Sequence, residues 1–481
     1  MIGKNVLIQL ILTACSSIVG FISLSISARL LGPFILGHLA YVLGITGLIF
    51  AFSDLGLSRA QVHFTAAFHS AQKTLGTFLS LKVILLFAAA GIAFLIALIN
   101  PAQFKGIFII ILLYELLSRL AESIFITFEG LQLSWPQNLA KFLSKLIRLL
   151  AILLIGYQLT NVLGYSLVYL AEALALILLS VWLMRRFFPL NFSQTLASQY
   201  LKYSLPFFVI VPVSYLQANL LTVLLKHFHS AIEVGFYSAA FNLSAYLKVL
   251  FGTVMVFFFP KLSSLFQKND LNGIKNYLNL TLKYLLMIFT PMFMFSFLLR
   301  KEIILFVLGQ DFLPAVPVFS WMLLAVFVLL LINPYEYALY ATKKHASLVK
   351  VNLISLILSL LLSVYLMSYW HLGAIGAAIV NLIIWSFSGF YSLFLIKKHF
   401  GFSFYPSATY FILPAAILVF ISSLIINYYP VSLMLKLALG LISVLIYLLF
   451  LYIFKLIKLK DIKYFINLLK FPNAFSKNSL S

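Results

Sequence analysis

The chain has 481 residues, of which 63% are apolar and only 9% charged, with a mean hydropathy of +1.10; a soluble globular chain carries about 25% charged residues. No water-soluble core can hide that much apolar surface, so a soluble fold is excluded and a polytopic membrane protein is expected. The net charge of +22 sits on cations gathered between apolar runs, and is read as topology and contact with anionic lipid headgroups rather than nucleic-acid binding.

In chain order, Lys4, an apolar run and "LTAC" (Leu12 to Cys15) have the outline of a lipoprotein signal, but the run continues to Ile26 and is expected to be the first span. Cys15 is the single cysteine, which excludes an intramolecular disulfide and a cysteine-based metal or redox site. Apolar runs fall at 6–28, 36–53, 77–99, 106–128, 136–157 and 160–184, then at 204–225, 234–259, 279–299, 315–341, 348–369 and 373–396, with a last pair at 407–427 and 431–455. Lipid forbids unpaired backbone, and runs of this length satisfy it as helices, so an all-α protein of about fourteen transmembrane helices is expected.

Charge in the connections tests that count. With a cytoplasmic N-terminus, the inner connections collect Lys4, Arg59, Lys73, Lys82, Lys141, Lys145, Arg148, Arg185, Arg186 and Lys202, and the later ones Lys261 to Lys283, Lys343 to Lys350, Lys397, Lys398 and the C-terminal lysines. The outer side receives only Arg29, Lys105, Lys226, Arg300 and Lys301. One missed span would invert every later loop, so both count and orientation follow, with both termini cytoplasmic.

Repetition sets the organisation. "LGHLAYVLGI" (Leu36 to Ile45) opens the second helix as "VGFYSAAFNL" (Val234 to Leu243) opens the eighth, and "NVLGYSLVYLAEALALILLS" (Asn161 to Ser180) in the sixth is echoed by "WHLGAIGAAIVNLIIWSFSG" (Trp370 to Gly389) in the twelfth. An offset near 200 residues implies two parallel six-helix lobes about an axis along the membrane normal, enclosing a central cavity. The expected parts are an N-terminal lobe at 1–184, a cytoplasmic linker at 185–203 broken by Pro189, Asn191 and Ser193, a C-terminal lobe at 204–399, helices thirteen and fourteen at 400–456, and a tail at 457–481. Ile462, Phe465, Ile466 and Leu469 give that tail an apolar face suited to the membrane surface.

No loop is long enough for a catalytic module, and neither GxGxxG nor GxxxxGK occurs, so direct use of ATP is not expected. The short loops disfavour a membrane glycosyltransferase or polymerase, and a carrier is expected, not an enzyme. It carries no sequence sign of a cofactor or metal site.

"ARLLGP" (Ala28 to Pro33), Gly37, "FSDLGLSRAQVHF" (Phe52 to Phe64) and "VLGQDFLPA" (Val307 to Ala315) resemble the signature of the polysaccharide-biosynthesis flippases, the Wzx-type members of the multidrug/oligosaccharidyl-lipid/polysaccharide exporter superfamily. Phe34-Ile35 stands where relatives often have a polar or acidic residue and Gly. The resemblance implies a flippase in the bacterial cytoplasmic membrane that moves a lipid-linked oligosaccharide, on undecaprenyl pyrophosphate, for surface polysaccharide such as O-antigen, with polymerase machinery as a downstream partner.

Charges inside spans are the candidate site, because each costs roughly 2.5–3.5 kcal/mol to insert. The cationic candidates for the pyrophosphate are Arg29, Arg119, Lys248, Lys141, Lys145 and Arg148; the acids able to couple transport to an ion are Glu172, Glu336, Glu115, Glu122 and Asp54. Glu115, Arg119 and Glu122, at i, i+4 and i+7, share one face and can neutralise one another. Arg29 either snorkels to headgroups or faces the cavity. Glu172 and Glu336 either titrate or meet a cation of another helix. Lys248, about 14 residues into the eighth helix and thus roughly 20 Å deep, has no acid at i±3 or i±4; it faces the cavity or pairs with Glu115, Glu122, Glu172 or Glu336. A multidrug cation exporter of the same superfamily would instead need an acid-lined cavity, and that reading stays open.

Overall fold

The computed structural model describes residues 2–456 apart from 69–70, 100–101, 132, 134, 157, 159–160, 209, 269, 342–344, 402–408, 429–431 and 455. The surface-lying tail expected at 457–481 is outside the described residues. Every regular element among them is helical.

All fourteen apolar runs are helices. The first two form one element, α1 (Ile2–Phe50), broken at Gly32 (φ 66°, ψ 177°), a left-handed conformation that glycine adopts freely, with Pro33 starting the second limb. A short 3₁₀ turn, Asp54, and positive φ at Leu55 and Gly56 then reverse the chain. There follow α2 (Leu57–Phe68), α3 (Ala71–Ile99), α4 (Ala102–Gly130), α5 (Trp135–Ile155), α6 (Val162–Met184), α7 (Gln194–Ser204) and α8 (Ile210–Phe228). The second half holds α9 (Ala231–Gln267), α10 (Leu271–Leu298), α11 (Arg300–Val307), α12 (Val316–Ala341), α13 (His345–Ser363) ending in a π-helical turn, α14 (Gly373–Phe400), α15 (Thr409–Tyr428) and α16 (Leu433–Ile453). The break at Gly32 marks one end of the bundle, the Gly32 face; Asp54 marks the other.

Among the described residues, eight helical stretches are long and apolar enough to cross a membrane by length and composition alone, the two limbs of α1 counting as one. Helices such as α4, with Glu115, Arg119 and Glu122, and α5, with Lys141, Lys145 and Arg148, are long enough but carry charge in mid-span. Bulky side chains such as Leu154, Leu178, Phe390 and Leu445 stand exposed on the outer surface, as a protein solvated by hydrocarbon allows.

Three helices join connections that hydropathy reads as loops: α2, α7 and α11. In the stretch expected to be an irregular linker, Ser193 is not a break but a cap, its hydroxyl accepting the Leu196 N–H at 3.4 Å and starting α7. Asn161 caps α6 the same way at 2.6 Å, and the Ser230 hydroxyl caps α9 by accepting the Glu233 N–H at 3.3 Å. Glu233 reaches further, accepting the Ala374 N–H at 2.7 Å at the start of α14.

The first half packs α4 on α6, α5 on α6, α1 on α5 and α3 on α4; in the second half α12 packs on α14, α13 on α14, α8 on α13 and α10 on α12. Helices α15 and α16 pack on each other and on α10, through Leu286, Met294, Leu298, Phe411, Tyr447 and Leu451. The halves meet along α1 and α9. At the Gly32 face their backbones touch: a Cβ on Gly37 would lie 1.7 Å from the Ala231 carbonyl oxygen, and one on Gly235 would lie 2.0 Å from that of Pro33. Ala231 is one turn before Gly235 and Pro33 one turn before Gly37, so each helix offers the other the same pair of positions, the reciprocity of a two-fold contact.

Candidate functional site

The charged side chains within the bundle are met in different ways. On α4, Arg119 Nε meets Glu115 Oε2 at 3.1 Å, and its guanidinium lies 4.7 Å from the Tyr215 ring of α8, in the other half. Glu122 shares that face and makes no ion pair among the described residues, but its charge also acts on Arg119, which thus answers to one acid by contact and to the other at a distance. At the opposite end, Asp54 is bound by Lys82 and by the Ser58 hydroxyl, with the two ionic side chains only 11% and 6% exposed. Lys82 reads in the sequence as a topology charge; the fold makes it the partner of a candidate coupling acid.

Helix α5 presents three cations in successive turns, and they have different fates. Arg148 Nη1 lies 3.3 Å from Glu172 Oε2 on α6, with its guanidinium 4.2 Å from the Tyr169 ring. Glu172 is therefore met by a cation of a neighbouring helix. Lys141 donates to Gln137 at 2.9 Å, and that amide donates in turn to Glu129 at 2.9 Å, in the amide orientation that suits both neighbours. Lys145 points at α1: a Cβ on Gly20 would lie 3.8 Å from its Nζ and 3.3 Å from the Tyr246 hydroxyl of α9. Gly20 leaves room where first-half lysine and second-half tyrosine converge, and Phe21 packs edge-on against Tyr246 with ring centroids 5.3 Å apart.

Lys248 stands on α9 at the wall of a small apolar pocket among α9, α10 and α12, with Phe289, Phe293, Leu323 and Phe327 around it. Its ammonium lies 3.9 Å from the centre of the Trp385 ring and 4.7 Å from that of Phe241. None of the four glutamates weighed as its partner pairs with it: Glu115 and Glu172 hold arginines, Glu336 accepts the Ser388 hydroxyl at 2.7 Å, and Glu122 makes no ion pair. Ring faces stabilise a cation without neutralising it. Lys145 and Lys248 form no ion pair among the described residues, but they differ: Lys145 lies within electrostatic reach of Glu172, which Arg148 already holds, whereas Lys248 meets only ring faces.

Arg29 is exposed at the Gly32 face. It reaches from α1 to the end of α11, donating to the Phe306 carbonyl and, at 3.5 Å, to that of Leu305. Among the described residues no group of three or more His, Cys, Asp or Glu side chains could hold a metal ion. Tyr215, Tyr246 and Trp385 were not singled out by sequence reasoning; aromatic residues recur on every helix, and only the fold tells which face a cation.

A family model described as polysaccharide biosynthesis protein matches residues 26–317. No curated protein matches the chain. Among solved structures, the lipid II flippase MurJ in an inward closed conformation aligns over 93% of this chain and 98% of its own, with a TM-score of 0.75 and 17% identity. A multidrug resistance MATE family transporter of the MOP superfamily, in an inward-facing conformation, aligns over 82% of this chain and 94% of its own at TM-score 0.56 and 12% identity. A MOP superfamily transporter from Pyrococcus furiosus, described as having a binding pocket of reversed polarity, aligns over 83% and 94% at TM-score 0.53 and 12% identity. At these identities the shared property is the fold: a multi-pass, all-helical transporter fold.

Proposed function

Because the chain belongs to the polysaccharide biosynthesis protein family, we propose that it carries an oligosaccharide linked to polyprenyl pyrophosphate, such as undecaprenyl pyrophosphate, from the cytoplasmic to the outer leaflet of the bacterial cytoplasmic membrane. The observation that carries this reading is Lys248 of the second half, a buried ammonium that meets ring faces and makes no ion pair among the described residues, with Lys145 of the first half, whose electrostatic partner Glu172 is already engaged by Arg148. A buried cation that no carboxylate neutralises is costly in a membrane protein, and a pyrophosphate is the ligand that relieves the cost in a setting where attraction is little screened. A cation exporter of the same superfamily needs acids free to bind it; here Asp54, Glu115 and Glu172 are each held by a cation of the chain, which leaves Glu122 and Glu336 without an ion pair among the described residues.

The two sets of six helices act in this reading as lobes that rock about the α1–α9 seam, with the segment 185–203 joining them on the cytoplasmic side. The Gly32 face is the outer one, as the distribution of Lys and Arg supports, and the tight Gly37–Gly235 approach corresponds to a closed outer gate. Substrate enters from the cytoplasmic side, its pyrophosphate is bound by Lys145 and Lys248, and the lobes close behind it before the outer gate opens. Glu336, whose partner among the described residues is the neutral Ser388 hydroxyl, is the acid best suited to take up and release a coupling proton. Polymerase machinery receives the unit outside.

The test is export. Lys145→Ala and Lys248→Ala should each abolish surface polymer while the protein accumulates normally and lipid-linked units build up on the cytoplasmic leaflet; the arginine variants should retain part of the activity, since charge is kept but geometry changes. Normal export by both alanine variants at native expression would overturn the reading. An intact surface coat with altered drug sensitivity in a deletion strain would establish the cation exporter instead.

A further inference from the structure

The short helix α11 is held at both ends by parts of the chain far from it. Its first turn carries Glu302, whose Oε1 accepts Lys436 Nζ of α16 at 2.5 Å, with the two side chains 19% and 17% exposed. Its last turn ends at Gly309, where φ is +98°. Chain reversal there leaves the final carbonyls of α11 without helical donors, and α1 supplies them: Arg29 donates to Leu305 and Phe306, and the Ser25 hydroxyl to Val307 at 2.6 Å. A cation is favoured at the carbonyl end of a helix, where the backbone dipole is negative.

Lys436 is placed the other way round. It lies in the first turn of α16, four residues after the capping Ser432, at the positive end of its own helix, where a cation is disfavoured. Glu302 supplies the compensating charge. One turn of helix, about 6 Å of rise, separates Glu302 from Phe306, and a single turn has little room to flex between them. The α16 backbone is also seated below this point, since a Cβ on Gly440 would meet the Phe295 ring of α10 at 3.2 Å.

We propose that α11 is a mechanical link between α15–α16 and the outer gate: the Lys436–Glu302 pair fixes α11 to α16, and α11 in turn latches the outer end of α1 through Arg29 and Ser25. Movement of α15–α16 away from α10 pulls Glu302, withdraws the carbonyls from Arg29 and frees α1 from the second lobe. The helices outside the twelve-helix repeat thereby bias whether the gate is shut. The designation of this gate as outer rests on the transport reading above; the link itself does not.

Distance measurement between spin labels tests it without substrate, so that its failure and failure of the transport reading are separable. Labels go on Phe34→Cys and Phe306→Cys in a Cys15→Ala background, both native side chains being exposed (53% and 79%), so the pair reports separation of α1 from α11. The parent should give one short distance. Lys436→Glu and Glu302→Lys should each raise the long-distance population about two- to five-fold, the range expected for an ion pair that is partly exposed. The double reversal should restore the short distance, which also shows that the single variants fold. Arg29→Ala should lengthen the distance alone, and adding Lys436→Glu to it should change little further. An unaltered distribution in Lys436→Glu with a lengthened one in Arg29→Ala would reduce the ion pair to an anchor for α16, and an unaltered distribution in both would overturn the latch.

Discussion

Gly37→Ala places a methyl group where the Ala231 carbonyl oxygen stands 1.7 Å away, with the Gly235 nitrogen at 2.8 Å. Side-chain carbons do not approach other heavy atoms closer than 3.0 Å, so α1 and α9 must separate by at least about 1.3 Å at their tightest point. The obstacle is backbone on both sides and cannot rotate away. Overpacking of this kind costs about 1–3 kcal/mol. The helix-propensity gain of Ala over Gly, about 1 kcal/mol, applies equally whether the lobes touch or not, so the full overpacking term falls on the closed state. A bias of 1–3 kcal/mol corresponds to roughly 5- to 150-fold in the ratio of open to closed. Gly235→Ala should act alike, because its Cβ would lie 2.0 Å from the Pro33 oxygen. Gly91→Ala is the control, with nothing within 4 Å of its Cβ. The assay is the distance between spin labels at positions 34 and 306: both seam variants should populate the long distance, and the control should not. A Gly37→Ala protein with the parent distance distribution and undiminished export would refute the argument.

Arg148→Ala leaves Glu172 charged, 13% exposed and unpaired, and should lower stability in detergent by about 3–5 kcal/mol; thermal unfolding checks it, and Glu172→Gln in the same chain should recover most of the loss. Lys82→Ala should do likewise through Asp54, with Asp54→Asn as the rescuing change. Glu336→Gln keeps an oxygen to accept the Ser388 hydroxyl and should fold normally, but should remove any dependence of transport on the transmembrane proton gradient; gradient-dependent export by that variant would remove Glu336 as the coupling acid.

How much of this was legible differs by feature, for physical reasons. The fourteen helices follow from hydropathy, since a hydrocarbon core demands long apolar runs with self-satisfied backbone. The break at Gly32-Pro33 and the Arg119–Glu115 pair were legible too, because both are local: one needs a positive φ next to a proline, the other a spacing of four on a helix. Helices α2, α7 and α11 were not. They are short elements on connections, formed by caps and by packing on neighbours, and their hydropathy resembles that of loops. The stretches "ARLLGP" and "VLGQDFLPA" each carried a resemblance, yet nothing in either says that Arg29 at one reaches the carbonyls just before the other, 277 residues away.

The sequence by itself therefore determined the solvent, the helices and the number of charges within them, because each of these depends on the residues of one segment against lipid or water. Only the tertiary structure decided which of those charges are cancelled. Arg148 meets Glu172 and Lys82 meets Asp54 across gaps of 24 and 28 residues, while Lys248 faces the rings of Phe241 and Trp385 instead of an acid. An ion pair forms only within a few ångströms, and distances between helices are set by how close their backbones approach, here by glycines at 37 and 235 meeting the partner helix one turn before its own glycine.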